Sequence, residues 1–144
     1  VLRQDAQSLT RFQGVQWVNE DPGFMTEPLY DVWAKQGQDF YAVYAVGEDG
    51  AIYHFDGNIW TDESIADETR DFYGVWVSTT GQVIVVGEGQ AIYRGHVSGS
   101  PGWTLQNPPA GLQGGDLMDV WGAGDDKVFA VGTNGVILRY APMG

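Results

Sequence analysis

Residues 31–60 read DVWAKQGQDFYAVYAVGEDGAIYHFDGNIW, and most of that pattern returns twice. Val32-Trp33, Ala45-Val46-Gly47, Ala51-Ile52-Tyr53 and Trp60 are answered by Val75-Trp76, Val85-Val86-Gly87, Ala91-Ile92-Tyr93 and Trp103. Val120-Trp121, Ala130-Val131-Gly132 and Val136-Ile137-Leu138 follow, with no further Trp behind them. At the front, Leu9, Phe12 and Trp17 stand where Ile52, Phe55 and Trp60 stand, as the tail of a preceding copy. The Trp ladder fixes the period. Trp17 to Trp60, Trp60 to Trp103 and Trp33 to Trp76 are each 43 residues, and Trp76 to Trp121 is 45.

The apolar runs within each copy are short, β-branched and aromatic, and Gly or Pro breaks them before a helix could establish itself. Each copy therefore reads as four strands, A to D. In the unit 29–64 they are 29–34, 40–46, 51–55 and 59–62, with Asp49-Gly50 and Asp56-Gly57-Asn58 as turns. In the unit 72–106 they are 72–78, 82–86, 91–94 and 103–106. The unit 117–144 has A at 117–122, B at 127–131 and C at 136–140, without D, and residues 1–20 supply a partial unit of C and D. A period of roughly 40–45 residues with several short strands per unit predicts an all-β chain, about three β-propeller blades of four antiparallel strands. Strands A and B are apolar on both faces, which suits sheets stacked between neighbours. Val75-Trp76 and Val120-Trp121 are accordingly expected on innermost strands, buried. Three blades fall short of the roughly four to eight that close a ring. The expectation is a segment of a larger propeller or one protomer of a ring that other chains complete, and a start at Val1 rather than Met suits a processed or excised piece.

Hydrophobic residues make up 43% of 144, enough for a packed core, and 21 Gly suit many tight turns. Seven Lys and Arg against 19 Asp and Glu leave a net charge of −12. Nucleic acid and anionic membrane surfaces are poor partners for such a chain. Cationic proteins, metal ions and neutral glycans remain. There is no Cys, so no disulfide holds the fold, and no apolar run is long enough to span a membrane.

Catalytic constellations are poorly provided for. His54 and His96 are the only histidines, and with no Cys they cannot assemble a zinc site without several carboxylates. No catalytic residue is assigned. Trp33, Trp76 and Trp121 are expected to pack between blades. Trp17, Trp60 and Trp103, on the outer strand, either pack or stack on sugar rings. Arg11, His54, Arg94 and Arg139 share one repeat position, two residues after the apolar residue of strand C. A hydrogen bond or ion pair joining blades, with Asp31 or Asp119 as partner, is expected there.

The pattern Asp31-Val32-Trp33, Ala45-Val46-Gly47, Asp49-Gly50-Ala51-Ile52-Tyr53-His54-Phe55-Asp56-Gly57 and Trp60 resembles a bacterial β-propeller repeat of the form VWG, FAVG, G-x-ILHYDG, W. The third unit is similar at Asp119-Val120-Trp121-Gly122, Val128-Phe129-Ala130-Val131-Gly132 and Asn134-Gly135-Val136-Ile137-Leu138-Arg139-Tyr140. The second departs from it, with Arg94-Gly95-His96 in place of the aromatic-Asp-Gly step. The resemblance implies a surface or secreted bacterial protein and no particular chemistry. Strands C and D also look somewhat like the Asp-Gly-x-x-Trp repeats of small bacterial lectins that build a propeller from several chains.

Strand alternation sends the B–C and D–A loops to one end of the array. That end collects Glu48, Asp49, Asp62, Glu63, Asp67, Glu68 and Glu88 among its carboxylates, with Arg70 as the nearby cation. The expectation is a non-catalytic recognition module that binds a protein partner through this acidic face. The alternative is a lectin with Trp-lined pockets between blades. Calcium is a weaker candidate, since no spaced Asp-x-Asp loop occurs.

Overall fold

A computed structural model describes residues 10–14, 16–99 and 102–141. The chain is all-β. A hairpin of β1 (Thr10–Gln13) and β2 (Gln16–Asn19) comes first. Sheet I follows with β3 (Leu29–Gln36), β4 (Tyr41–Gly47), β5 (Ile52–Phe55) and β6 (Trp60–Asp62). Sheet II holds β7 (Phe72–Val77), β8 (Gln82–Gly87), β9 (Ile92–His96) and β10 (Thr104–Leu105). Sheet III holds β11 (Leu117–Gly124), β12 (Lys127–Gly132) and β13 (Ile137–Arg139). Every strand pairs antiparallel with its neighbour in sequence, and no sheet closes on itself.

The registers carry the sequence repeat into space. Trp33, Trp76 and Trp121 face Tyr44, Ile84 and Phe129, which in turn face His54, Arg94 and Arg139. Phe12 pairs with Trp17 as Phe55 pairs with Trp60, so the leading hairpin repeats the last two strands of sheet I. Leu9 lies outside the described residues.

The glycine ending the second strand of each sheet has a steric cause. A Cβ on Gly47, Gly87 or Gly132 would stand within 2.0 Å of the carbonyl oxygen of Pro28, Asp71 or Asp116. The residue after each glycine donates its N–H to that same carbonyl, at 3.0, 2.8 and 2.9 Å. The turns that follow place Asp49, Gly89 and Asn134 in the left-handed region, with φ of 53°, 62° and 62°. These three residue types tolerate that conformation best.

Two interfaces form the core. Tyr44, Val46 and Ile52 of sheet I pack on Val75, Val77, Val83 and Val85 of sheet II. Trp76, Ile84 and Val86 on the other face of sheet II pack on Leu117, Val120, Val128 and Ala130 of sheet III. All of β8 is buried because sheet II has a neighbour on each side. Met25 packs with Ala51 and Tyr53, so the segment after the hairpin covers part of the outer face of sheet I.

One expectation fails. Val75, Trp76 and Val120 are buried, but Trp121 is 58% exposed against 3% for Trp76. The Trp76 face of sheet II is capped by sheet III. The matching face of sheet III, with Trp121, Phe129, Val131 and Ile137, has no further sheet against it among the described residues. Among the described residues this face of sheet III is therefore open.

Candidate functional site: an acidic loop end and an inter-sheet slot

The loops joining the second strand to the third, and one sheet to the next, gather at one end. Gly50 donates its N–H to the Arg70 carbonyl, and Ile65 donates to the Gly50 carbonyl, which binds the 62–71 loop to the 48–50 turn. Carboxylates tie successive turns together. Asp71 Oδ1 accepts from the Asp49 N–H at 3.1 Å, and Asp116 Oδ1 accepts from the Gly89 N–H at 2.9 Å. Glu88 Oε2 accepts from the Asp71 N–H at 3.1 Å. Glu48 accepts from the Tyr30 hydroxyl and holds that phenol above its ordinary range.

The acidic residues singled out from the sequence divide into two groups. Glu63 and Glu68 are turned to structural work. Glu63 Oε2 lies 2.8 Å from His54 Nδ1. Glu68 receives Arg70 through Nε at 3.0 Å and Nη2 at 2.8 Å, and the Tyr93 hydroxyl at 2.6 Å. The Arg70 guanidinium holds the Glu68 carboxyl down to about 2. Asp49, Asp62 and Asp67 are exposed, and Glu48 and Glu88 are half-buried. Asp62 accepts from the Ser64 N–H and shapes its own turn. Carboxylate oxygens of Glu27, Glu48 and Asp49 lie within 4.8 Å of one another. Bound through one or both oxygens, three carboxylates supply three to six of the roughly six to eight oxygens that calcium takes.

The repeat position on the third strand does not behave as one device. His54 stacks flat on Tyr44, with centroids 4.2 Å apart, and meets Glu63 rather than Asp31. Arg94 stands 5.9 Å over the Tyr140 ring of sheet III. No hydrogen bond or ion pair engages Arg139 among the described residues. The expected pairing of Arg94 and Arg139 with a carboxylate or carbonyl is therefore corrected. The Asp31 carboxylate is used instead by the backbone, which a two-oxygen acceptor between sheets serves without any cation. The Arg11 side chain falls outside the described residues. His96 accepts from the Ser98 N–H at Nδ1, and Nε2 lies 3.1 Å from the Thr80 carbonyl, an imidazole fixed within its loop.

Two of the three outer Trp residues pack, Trp60 and Trp103. Trp60 lies 5.2 Å from Phe55, and its indole nitrogen is buried. Trp103 is half-buried, edge-on to Tyr44 at 6.1 Å, and lies over Gly95, where a Cβ would come within 2.7 Å of the ring. Trp17 is 72% exposed. Between sheets II and III lies a cavity of about 250 Å3, lined by Ile84, Ile92, Arg94, Leu138 and Tyr140 among others. Sequence reading did not single it out. The signal was present, since it occupies the place that Trp103 takes between sheets I and II. Two further clefts flank His96, and no Trp lines any of the three.

Compared with family models, with curated proteins and with solved structures, the chain matches none.

Proposed function

We propose that the three sheets are blades of a β-propeller and that the chain is a non-catalytic recognition module, docking a cationic protein partner on its acidic loop end. One observation carries the reading. Exposed Asp49, Asp62 and Asp67, with Glu27 and Glu48 beside them, share an end where Arg70 is the near cation and Glu68 already holds it. A net charge of −12 reinforces the field there. Such an end focuses negative potential and speeds encounter with a basic surface. The absence of catalysis in this reading rests on the histidines, since His54 is held between Tyr44 and Glu63 and His96 within its own loop. The resemblance to surface and secreted bacterial repeats supports an extracellular setting. A lectin is supported less, because Trp60 and Trp103 pack against their own sheets and neighbours.

The test is the triple variant Asp49→Lys, Asp62→Lys, Asp67→Lys, titrated beside the wild type with an oligolysine peptide over a salt series. Weaker binding and a shallower salt dependence are expected for the variant. Identical curves would remove this end as the docking face. Binding to a neutral glycan that the variant retains would favour the lectin instead.

A further inference from the structure

Arg94 of sheet II lacks the carboxylate that its counterpart His54 meets in sheet I, and the cavity between sheets II and III opens beside it. We propose that this cavity is a binding site for a small aromatic carboxylate, its ring among Ile84, Ile92 and Leu138 and its carboxylate on Arg94. The site is separate from the acidic loop end, since none of the carboxylates there lines it.

Sheet I carries the complete set of groups. His54 stacks on Tyr44 at 4.2 Å and lies 2.8 Å from the Glu63 carboxylate. Tyr44 pairs with His54 as Ile84 pairs with Arg94. Glu63 donates its N–H to the Ile52 carbonyl at 2.8 Å, and Gln106 donates to the Ile92 carbonyl at 2.8 Å, so Gln106 stands where Glu63 stands. One sheet further on, the ring has become Ile84 and the carboxylate a neutral amide, while the basic side chain remains as Arg94. Trp103 meets Tyr44 between sheets I and II, whereas no Trp lines the cavity between sheets II and III. The second slot therefore lacks an aromatic ring and a carboxylate, and a ligand carrying both restores the set.

The cavity supplies both room and charge. A cavity of about 150 Å3 admits a benzene ring, so the volume of about 250 Å3 leaves space for a short acid side chain. None of the 19 Asp and Glu lines it, whereas Arg94 and Arg139 both do. Arg94 stands 5.9 Å over the Tyr140 ring. Stacking of that kind leaves the edge of a guanidinium free to take a carboxylate through two N–H bonds. No hydrogen bond or ion pair engages Arg94 among the described residues. The Asp125 carboxylate feels its charge but takes its hydrogen bond from Thr80. Arg94 and Gln106 also line the neighbouring cleft, which places them at the mouth. A ligand can thus bury its ring and keep its charge near water, avoiding the cost of desolvating an ion.

The experiment titrates phenylacetate, phenylacetamide and phenethylamine onto the intact chain at physiological salt, read by backbone amide chemical shifts. Wild type, Arg94→Gln and Leu138→Trp are compared. Expected is saturable, near-millimolar binding of phenylacetate, with shifts at Ile84, Ile92 and Leu138. Phenylacetamide should bind about tenfold more weakly, and phenethylamine should not saturate. Arg94→Gln should bring phenylacetate down to the level of the amide and leave the amide unchanged. Leu138→Trp should fill the cavity and block both. If that variant fails to fold, the three ligands on the wild type still decide. Absence of saturation by phenylacetate, or shifts confined to other residues, overturns the site. Equal affinity for acid and amide, or an acid preference that survives Arg94→Gln, overturns the carboxylate on Arg94. N-acetyltryptophanamide binding more tightly than phenylacetate would mark the slot as the seat of an indole side chain, and overturns the small ligand.

Discussion

The Asp31 carboxylate joins two sheets: Oδ1 accepts from the Val32 N–H at 2.9 Å, and Oδ2 accepts from the Val75 N–H of sheet II at 3.0 Å. Burial pushes its pKa up against the lowering effect of those two bonds. Asp119 repeats the first bond to Val120 at 2.9 Å, and among the described residues no further sheet offers it a second donor. Sheet II has Gly74 at this position, so the device is absent there.

The pair Asp31 and Asp119 therefore isolates one inter-sheet hydrogen bond. Asp31→Ala strands a buried Val75 N–H, at a cost of about 1–3 kcal/mol beyond that of Asp119→Ala. Urea denaturation of the two variants side by side measures it. Equal losses would mean that the Val75 bond contributes nothing net.

Trp76 and Trp121 are equivalent in sequence and opposite in burial. The Trp76 ring fills the space above Gly122, where a Cβ would approach Cζ2 to 2.5 Å. Trp76→Ala should cost about 3–5 kcal/mol, as large-to-small core changes do. Trp121→Ala should stay within about 0.5 kcal/mol in the dilute monomer. Melting curves at low concentration decide between this and a chain in which both are covered.

Tyr44 carries a fully buried hydroxyl without a hydrogen-bond partner, and burial drives its pKa sharply upward. The ring contributes by stacking on His54 and meeting Trp103. Tyr44→Phe keeps those contacts and removes a desolvated hydroxyl, so stability should hold or rise by about 1 kcal/mol. A loss of that size in chemical denaturation would reveal a water bound to the hydroxyl.

The strand pattern was legible in the sequence because local rules dictate it. Val, Tyr and Phe runs bounded by Gly47, Gly87 and Gly132 placed the strands close to their final limits, and the glycines proved sterically compulsory. Burial was legible only where a neighbour exists. Trp121 obeys the same local pattern as Trp76, and nothing within the repeat tells whether another sheet covers it. The acidic end was legible as composition. The roles within it were not, because Glu63 and Glu68 turn toward His54, Arg70 and Tyr93, partners set by loop geometry rather than by spacing. Arg94 and Arg139 misled for a related reason. Sharing a repeat position fixes which face a side chain takes, and the adjoining sheet decides what it meets.

Glu68 gives the acidic end a pH signature of known sign. Its carboxyl falls from an ordinary 4.5 to about 2, first through Arg70 and then through the Tyr93 hydroxyl. A group whose pKa is lowered on folding contributes stability in full above its unfolded value and loses it as pH falls through the folded one. The contribution is therefore intact above 4.5 and fades toward about 2. Asp31 acts in the opposite sense, since a raised carboxyl pKa favours the folded state at low pH and that benefit is lost as pH rises. Glu68→Gln keeps the shape and removes the charge, and should lower stability by about 2 kcal/mol at neutral pH, the scale of a hydrogen bond to a charged group. The difference between wild type and variant should then narrow steadily as the pH of the denaturation series drops below 4.5. A difference that stays constant across that range would show that the Arg70–Glu68 contact does not shift the carboxyl, and that this loop is held by packing of Ile65 and Tyr93 instead.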